Sequence, residues 1–353
     1  MRSTSCIFAG LGLVGASAIP TIPIAGANGV VNLPMVGLGT WQYNESVAEQ
    51  AVTDALELGC ECSPRSATLR TCGQTCLRRR HHTLTPPSPR RARAQPTKQT
   101  DTHIDCAYGY NNQAGVGKAL AASPRARASY FITTKIPGGL SEADATANFD
   151  AGLVQLGLDY VDLLLVHYPA SWAGAGGRAA RQAEWQVMEG FVKAGKVRAL
   201  GVSHYCKRHV QDIQAIPNVV PIAVNQVEYH VGMGAAGVTD GVNATDDKSW
   251  MEAQGILYQG FSPLCGPCGT TELIDGELVT SIGAKYGKSG AQVSLKWQVM
   301  QGIPVIPKAH VVAYQKENLD IFDWVLSDVD VAKLNAHTTK DISPTSSGDC
   351  DVV

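Results

Sequence analysis

No stretch of this 353-residue chain is apolar for long enough to cross a membrane, which takes about 20 such residues. Charge is scarce as well. Only 17% of residues are charged and the net is −2, which gives no ground for a nucleic-acid partner of the whole chain. A Gly-x-Gly-x-x-Gly turn is missing after the first strand-like stretch, since Thr40-Trp41-Gln42 follow Gly37-Leu38-Gly39, and the doubly wound dinucleotide fold loses its main signature. The ten cysteines have no regular spacing, which excludes a disulfide framework for the body. Cys62, Cys72 and Cys76 with His81 and His82 match no zinc pattern, so no metal site is expected.

What is present is a globular composition, 44% hydrophobic, in a chain long enough for one large domain or two ordinary ones. Residues 1–18 fit the three parts of a secretory signal: Met1-Arg2, an apolar run from Cys6 to Gly15, then Ala16-Ser17-Ala18. With that signal the chain enters the secretory pathway, where Asn243-Ala244-Thr245 is a glycosylation acceptor. Without it the protein is cytoplasmic. Residues 61–102 carry eight arginines and Lys98 against Glu61 and Asp101, a net of +7, which leaves −9 for the remainder. With Pro86-Pro87-Ser88-Pro89 and Arg78-Arg79-Arg80, this segment cannot bury a core and reads as a solvated insert. The rest of 19–353 reads as one domain.

Thr21 to Leu33 alternates around Ala27-Asn28-Gly29, a β-hairpin signature. Strand patterns follow at Met35–Thr40, Thr102–Ala107, Tyr130–Ile136, Val161–His167, Val197–Ser203, Ala223–Tyr229, Ile256–Ser262 and Ile303–Pro307. Most precede a stretch of helical periodicity, including Glu49–Leu58, Ala143–Leu156, Leu273–Tyr286 and a last helix within Glu317–Leu334. Near-continuous apolar strands alternating with helices mean a covered parallel sheet, and eight such units are the count of a (β/α)8 TIM barrel.

Active sites of such barrels form where the strands end. Asp105, Lys135 and His167 stand at the ends of three consecutive strands, and Tyr110 sits in the loop after the first of them. A buried lysine and aspartate offset each other's desolvation, and a lysine near Tyr110 is expected to lower its pKa from about 10, making it a proton donor near neutrality. Singly each residue has an ordinary structural role open to it; together at one rim they point to chemistry.

These four, with Gly37-Leu38-Gly39-Thr40-Trp41, His103-Ile104-Asp105, Tyr110-Asn111-Asn112, Thr134-Lys135, Leu156-Gly157-Leu158-Asp159, Asn225-Gln226-Val227-Glu228, Ser262-Pro263-Leu264, Ile306-Pro307-Lys308 and Glu317-Asn318, resemble the aldo-keto reductase family over nearly all of 21–335 except the insert. The resemblance implies reduction of a carbonyl by NADPH, with NADH as a second donor and Tyr110 as the acid. It implies cofactor contacts at Gly39, Thr40, Ser203, His204, Gln226, Phe261, Ser262, Leu264, Lys308, Glu317 and Asn318, and a substrate pocket at Trp41, Tyr108 and Tyr168. A monomer acting on a small-molecule carbonyl is expected, and a nicotinamide-nucleotide sensor with little turnover is the rival reading. His204 replaces a usual asparagine, Phe261 a tyrosine, Ala309 a serine, and Tyr314 an arginine that meets a 2′-phosphate, so Lys308 is left as the phosphate's point charge. Cys265-Gly266-Pro267-Cys268 reads as a tight turn with an optional disulfide.

Overall fold

The computed structural model describes residues 19–59, 102–171, 176–233 and 248–338. Residues 1–18, the insert up to Asp101, the Asn243 acceptor and the polar tail from residue 339 lie outside them. Among the described residues no helix is long and apolar enough to cross a membrane.

The chain opens with a hairpin of β1 (Thr21–Gly26) and β2 (Gly29–Pro34), paired from Thr21↔Pro34 to Gly26↔Gly29. The turn is therefore Ala27-Asn28, and Gly29 closes the ladder with φ 121°. Next come β3 (Gly37–Gly39), α1 (Glu45–Leu58), β4 (Thr102–Asp105), α2 (Gln113–Ala122), β5 (Tyr130–Ile136), α3 (Glu142–Leu156) and β6 (Val161–Val166). They are followed by α4 (Arg178–Lys193), β7 (Val197–Ser203), α5 (Lys207–Gln214), β8 (Ile222–Glu228), α6 (Lys248–Ala253) and β9 (Leu257–Phe261). The chain continues through α7 (Glu272–Asp275), α8 (Glu277–Tyr286), α9 (Gly290–Val299), α10 (Val312–Leu319) and α11 (Asp328–Ala336).

Strands β3 to β9 form one parallel sheet in sequence order. The expected eighth strand is present as a closing rung: Val305 bridges both Val36 and Gly260. Around it Gly37 donates its N–H to Val305 O at 2.8 Å, and Gly260 donates to Pro304 O at 2.9 Å. The result is a (β/α)8 barrel with an N-terminal hairpin. Gly39 belongs to this seam, because a Cβ there would meet Ile306 O at 2.7 Å.

Two stretches read as single helices are each divided. Gly276, extended at ψ 156°, separates α7 from α8. Asp320 ends α10, and Ser327 starts α11 by accepting from the Asp330 N–H. Both breaks follow ordinary helix-end chemistry, a glycine in one case and a serine N-cap in the other.

Inside the barrel, Phe131, Leu163, Leu165, Ala199 and Val224 pack with Ile24, Val31 and Leu33, so the hairpin plugs the N-terminal mouth. A larger outer layer, including Val52, Leu56, Phe149, Trp185 and Trp297, seals helices to strands. With one mouth plugged, the strand C-termini are the end free to build a site.

Candidate active site

Register decides which side chains meet. Asp105 pairs with Thr133 across β4 and β5, and Lys135, two residues on, returns to the same face; Lys135 in turn pairs with Leu165 of β6, two residues before His167. All three therefore point into the barrel near its C-terminal rim. Lys135 Nζ lies 2.5 Å from Asp105 Oδ1 and also donates to Tyr110 Oη at 3.2 Å and Cys106 O at 3.3 Å. Tyr110 reaches the lysine because a single 3-10 turn, Tyr108–Tyr110, follows Ala107 and ends at Asn111 in the left-handed region, φ 57°. The Tyr110 and His167 ring centroids are 5.5 Å apart. The four residues picked from the sequence thus form one cluster.

Asp105 has a second clamp. Gln226 Nε2 donates to Asp105 Oδ2 at 2.8 Å and to Gln259 Oε1 at 2.9 Å. Gln226 thus orients the aspartate from across the barrel, in addition to the nicotinamide contact expected of it. Sequence reasoning passed over Gln259, although a glutamine inside the strand pattern Ile256–Ser262 was a signal; the structure buries it completely. It also left out Asn112, whose Nδ2 donates to Thr40 O at 2.8 Å and Tyr43 O at 3.0 Å and so ties the tyrosine loop to the loop after β3.

Burial dominates the electrostatics. For Lys135 it opposes the charge, but Asp105 and Tyr110 more than offset it, and the ammonium is held above its ordinary range. For Tyr110 the expectation of a lowered pKa is corrected: burial pushes the phenol up, and the nearby Lys135 offsets this only in part. Burial, with Lys135 and His204 adding to it, holds His167 well below 6.5, so the ring is neutral. His103 is a structural residue, its Nε2 2.9 Å from Thr133 Oγ1, and burial lowers it to about 4.

Around this cluster runs an aromatic wall. His167 stacks on Tyr168 at 4.9 Å, Tyr168 on His204 at 4.4 Å, and His204 lies 4.8 Å from Phe261. These rings are half-buried. His204 sits at φ 60°, and histidine, like the asparagine it replaces, is among the side chains that tolerate the left-handed region. Ser203 lies beside Gln226 in register and donates to Gln226 O at 2.8 Å. Thr40 is fully buried and donates through both N–H and Oγ1 to Asp105 O. Thr40 and Gly39 therefore serve the strands directly. Ser262 stands at φ 47°, and Leu264 packs against the cluster of Val36, Leu295, Val305 and Ile321.

Lys308 Nζ donates to Gln42 Oε1 at 2.9 Å. Glu317 and Asn318 lie on α10, and Asn318 lines a separate cavity of about 370 Å³ with Val36, Gly37, Thr102, His103 and Pro307. In the proposed substrate pocket Tyr108 and Tyr168 are half-buried, whereas Trp41 is 45% exposed.

Known proteins agree with this architecture. Glyoxal reductase of Bacillus subtilis is 35% identical over 234 residues, covering 66% of this chain and 77% of that protein. An aldo-keto reductase of Mycolicibacterium vanbaalenii is 30% identical over 92% of this chain and 94% of its own length. The crystal structure of an aldo/keto reductase from Brucella melitensis superposes with a TM-score of 0.67 at 27% identity, covering 90% of this chain and 99% of that one. The model of the Aldo/keto reductase family matches residues 98–339, most of the chain and nearly all of the barrel from β4 onward, and this protein belongs to that family of oxidoreductases.

Proposed function

We propose that this protein reduces an aldehyde or ketone to the alcohol with NADPH, and more weakly with NADH. One observation carries the reading: a buried ammonium shared between Asp105 and the Tyr110 hydroxyl, at 2.5 and 3.2 Å, beside a neutral histidine at the barrel rim. A half-buried wall of flat rings from Tyr168 to Phe261 fits a nicotinamide, and Ser203 and Gln226 lie beside it at the ends of β7 and β8. When bound, the reduced nicotinamide supplies the hydride.

The chain's own residues handle the proton and the oxygen. Tyr110, kept protonated by burial, gives its proton to the carbonyl oxygen as charge develops there. The phenolate left behind faces the Lys135 ammonium, which Asp105 and Gln226 hold in place. Neutral His167 donates a ring N–H to the same oxygen and orients the carbonyl. Lys308 meets the 2′-phosphate as a point charge, and Trp41, Tyr108 and Tyr168 line the substrate mouth. Small or polar carbonyls are the proposed substrates, because the tail after Leu334 is polar and brings no phenylalanine, tyrosine or tryptophan.

The test is a panel of aldehydes and ketones, including glyoxal, followed by loss of nicotinamide absorbance with NADPH or NADH. Turnover that disappears in Tyr110→Phe is the expected result. Tight nucleotide binding with no turnover on any substrate would instead favour a nucleotide-sensing protein.

A further inference from the structure

The turn after β9 carries a cluster that the reductase site does not use. Cys265 and Cys268 are buried, their sulfurs are within bonding reach, and their Cα atoms are 5.2 Å apart. His230, just beyond β8 and fully buried, faces them with Nε2 3.9 Å from Cys268 Sγ. The imidazole nitrogen and both sulfurs lie within 4.8 Å of one another. His230 Nδ1 is 2.9 Å from Val231 O, and a carbonyl only accepts, so Nδ1 carries the proton and Nε2 presents its lone pair to the sulfurs. A backbone carbonyl that fixes the tautomer of a histidine is the usual outer support of a metal ligand.

We propose that His230, Cys265 and Cys268 form a binding site for one zinc ion when the two thiols are reduced. Two thiolates three positions apart and one imidazole are a zinc donor set, with Zn–S near 2.3 Å and Zn–N near 2.0 Å and a fourth position left over. Those bond lengths put the ligand atoms about 3.5 to 3.8 Å apart around the ion, close to the present 3.9 Å between nitrogen and sulfur. The sulfurs need only separate from each other. Cys265 N donates to Ser262 O at 2.8 Å and Cys268 N to Cys265 O at 2.9 Å, so the turn that presents them is already formed.

Loading is balanced with a dithiol as reductant. The disulfide takes two electrons and two protons from the dithiol, which becomes a cyclic disulfide; zinc then forms two Zn–S bonds and two protons leave to solvent. Metal and disulfide are thus exclusive states of one turn. Only the metal, through His230, ties the end of β8 to this turn; the disulfide closes the turn on itself. The inference is independent of the carbonyl-reductase reading, because its readout is metal, not turnover.

The full chain, reduced with a dithiol under argon and freed of it, is mixed with zinc chloride, passed through a desalting column and assayed for bound zinc by atomic emission. Because other cysteines also take up metal, the difference between proteins is the quantity read. Cys265→Ser/Cys268→Ser is expected to hold one zinc fewer per chain than the parent, and so is the parent kept in its disulfide form. His230→Gln is expected to weaken that zinc by about tenfold or more against a chromophoric chelator, and to lose the intense visible bands of a tetrahedral site when cobalt(II) replaces zinc. Equal zinc in parent and double variant, or an unchanged His230→Gln, would overturn the proposal. Should the variants fail to fold, the parent alone decides: zinc is expected to slow diamide-driven formation of the Cys265–Cys268 disulfide, read by peptide mass. No slowing would equally overturn it.

Discussion

Two aspartates, Asp105 at the end of β4 and Asp162 near the start of β6, flank β5 at opposite ends of the barrel, and both are almost completely buried. Asp162, near the start of β6, is held by Arg127 at 2.6 Å, Arg198 at 2.5 Å and the Ile132 N–H at 2.9 Å. Its arginines are 19% and 49% exposed, so their charges stay partly in water while they tie the turn before β5 and the start of β7 to the barrel's plugged end. Asp105 has no such outlet. Its partner Lys135 is 0% exposed, and that lysine's remaining contact of consequence is a phenol at the open rim. The same carboxylate chemistry thus serves anchoring at one end and, in the proposed reduction, proton management at the other, according to where the partner's charge can go.

Substitutions separate these roles. Tyr110→Phe deletes the proposed proton donor without altering the ion pair, and should lower kcat by about a thousandfold, with the unfolding midpoint and nucleotide affinity unchanged. Asp105→Asn leaves Lys135 buried without its counter-charge. It should cost about 3 kcal/mol in denaturant unfolding and also reduce kcat at least about a hundredfold, since the ammonium is no longer held at Tyr110. Asp162→Asn should cost about 2 kcal/mol, the smaller figure reflecting its half-solvated arginines, and change kcat less than about twofold. If Asp162→Asn damaged turnover as much as Asp105→Asn, the division between the two ends would collapse.

Acid provides a second separation. His103 has a folded pKa of about 4 against 6.5 in the unfolded chain. Below pH 6.5 the unfolded state takes a proton that the folded state refuses, so stability present at neutral pH is lost as pH falls toward 4. At pH 5 this amounts to about 2 kcal/mol, and His103→Gln should flatten that part of the profile in urea unfolding. Turnover by the surviving folded protein behaves differently. Tyr110 is raised and His167 lowered, so the reducing forms of both persist across the neutral range. The kcat profile for reduction should therefore be flat through neutrality and fall only in alkali as Tyr110 ionises. A fall near pH 7 would mean that Lys135 outweighs burial at the phenol after all.

Strand order, the hairpin and the four-residue cluster were legible because each rests on local pattern: apolar runs of the right length, a turn signal, and polar residues at strand ends. Pairings made by closure were not. Gln226 lies 121 residues from Asp105, and only the barrel's curvature brings them together. The sign of the Tyr110 shift was misread for a related reason: a lysine in sequence announces a charge but not the depth at which it is buried, and depth decided the balance. The breaks at Gly276 and Asp320 were missed because helical periodicity runs on through a cap. His230 carried no signal toward Cys268, since neither its spacing nor its neighbours suggest the turn it faces.

The smallest expected effect lies at the edge of the site, where Lys308 sits in contact with Gln42 rather than with any carboxylate. Partial desolvation without a counter-charge pushes its ammonium down from the usual lysine value, the opposite of Lys135, whose partners hold it up. A cation in that state gains from an arriving phosphate, but it is a single point charge on an exposed side chain, without the forked hydrogen bonds of the arginine that Tyr314 replaces. Lys308→Ala should therefore raise KM for NADPH by about fivefold and leave KM for NADH within about twofold, a difference of about 1 kcal/mol confined to the 2′-phosphate. Equal changes for both nucleotides would mean that Lys308 acts through Gln42 on the loop after β3. No change in either would remove it from the cofactor site altogether.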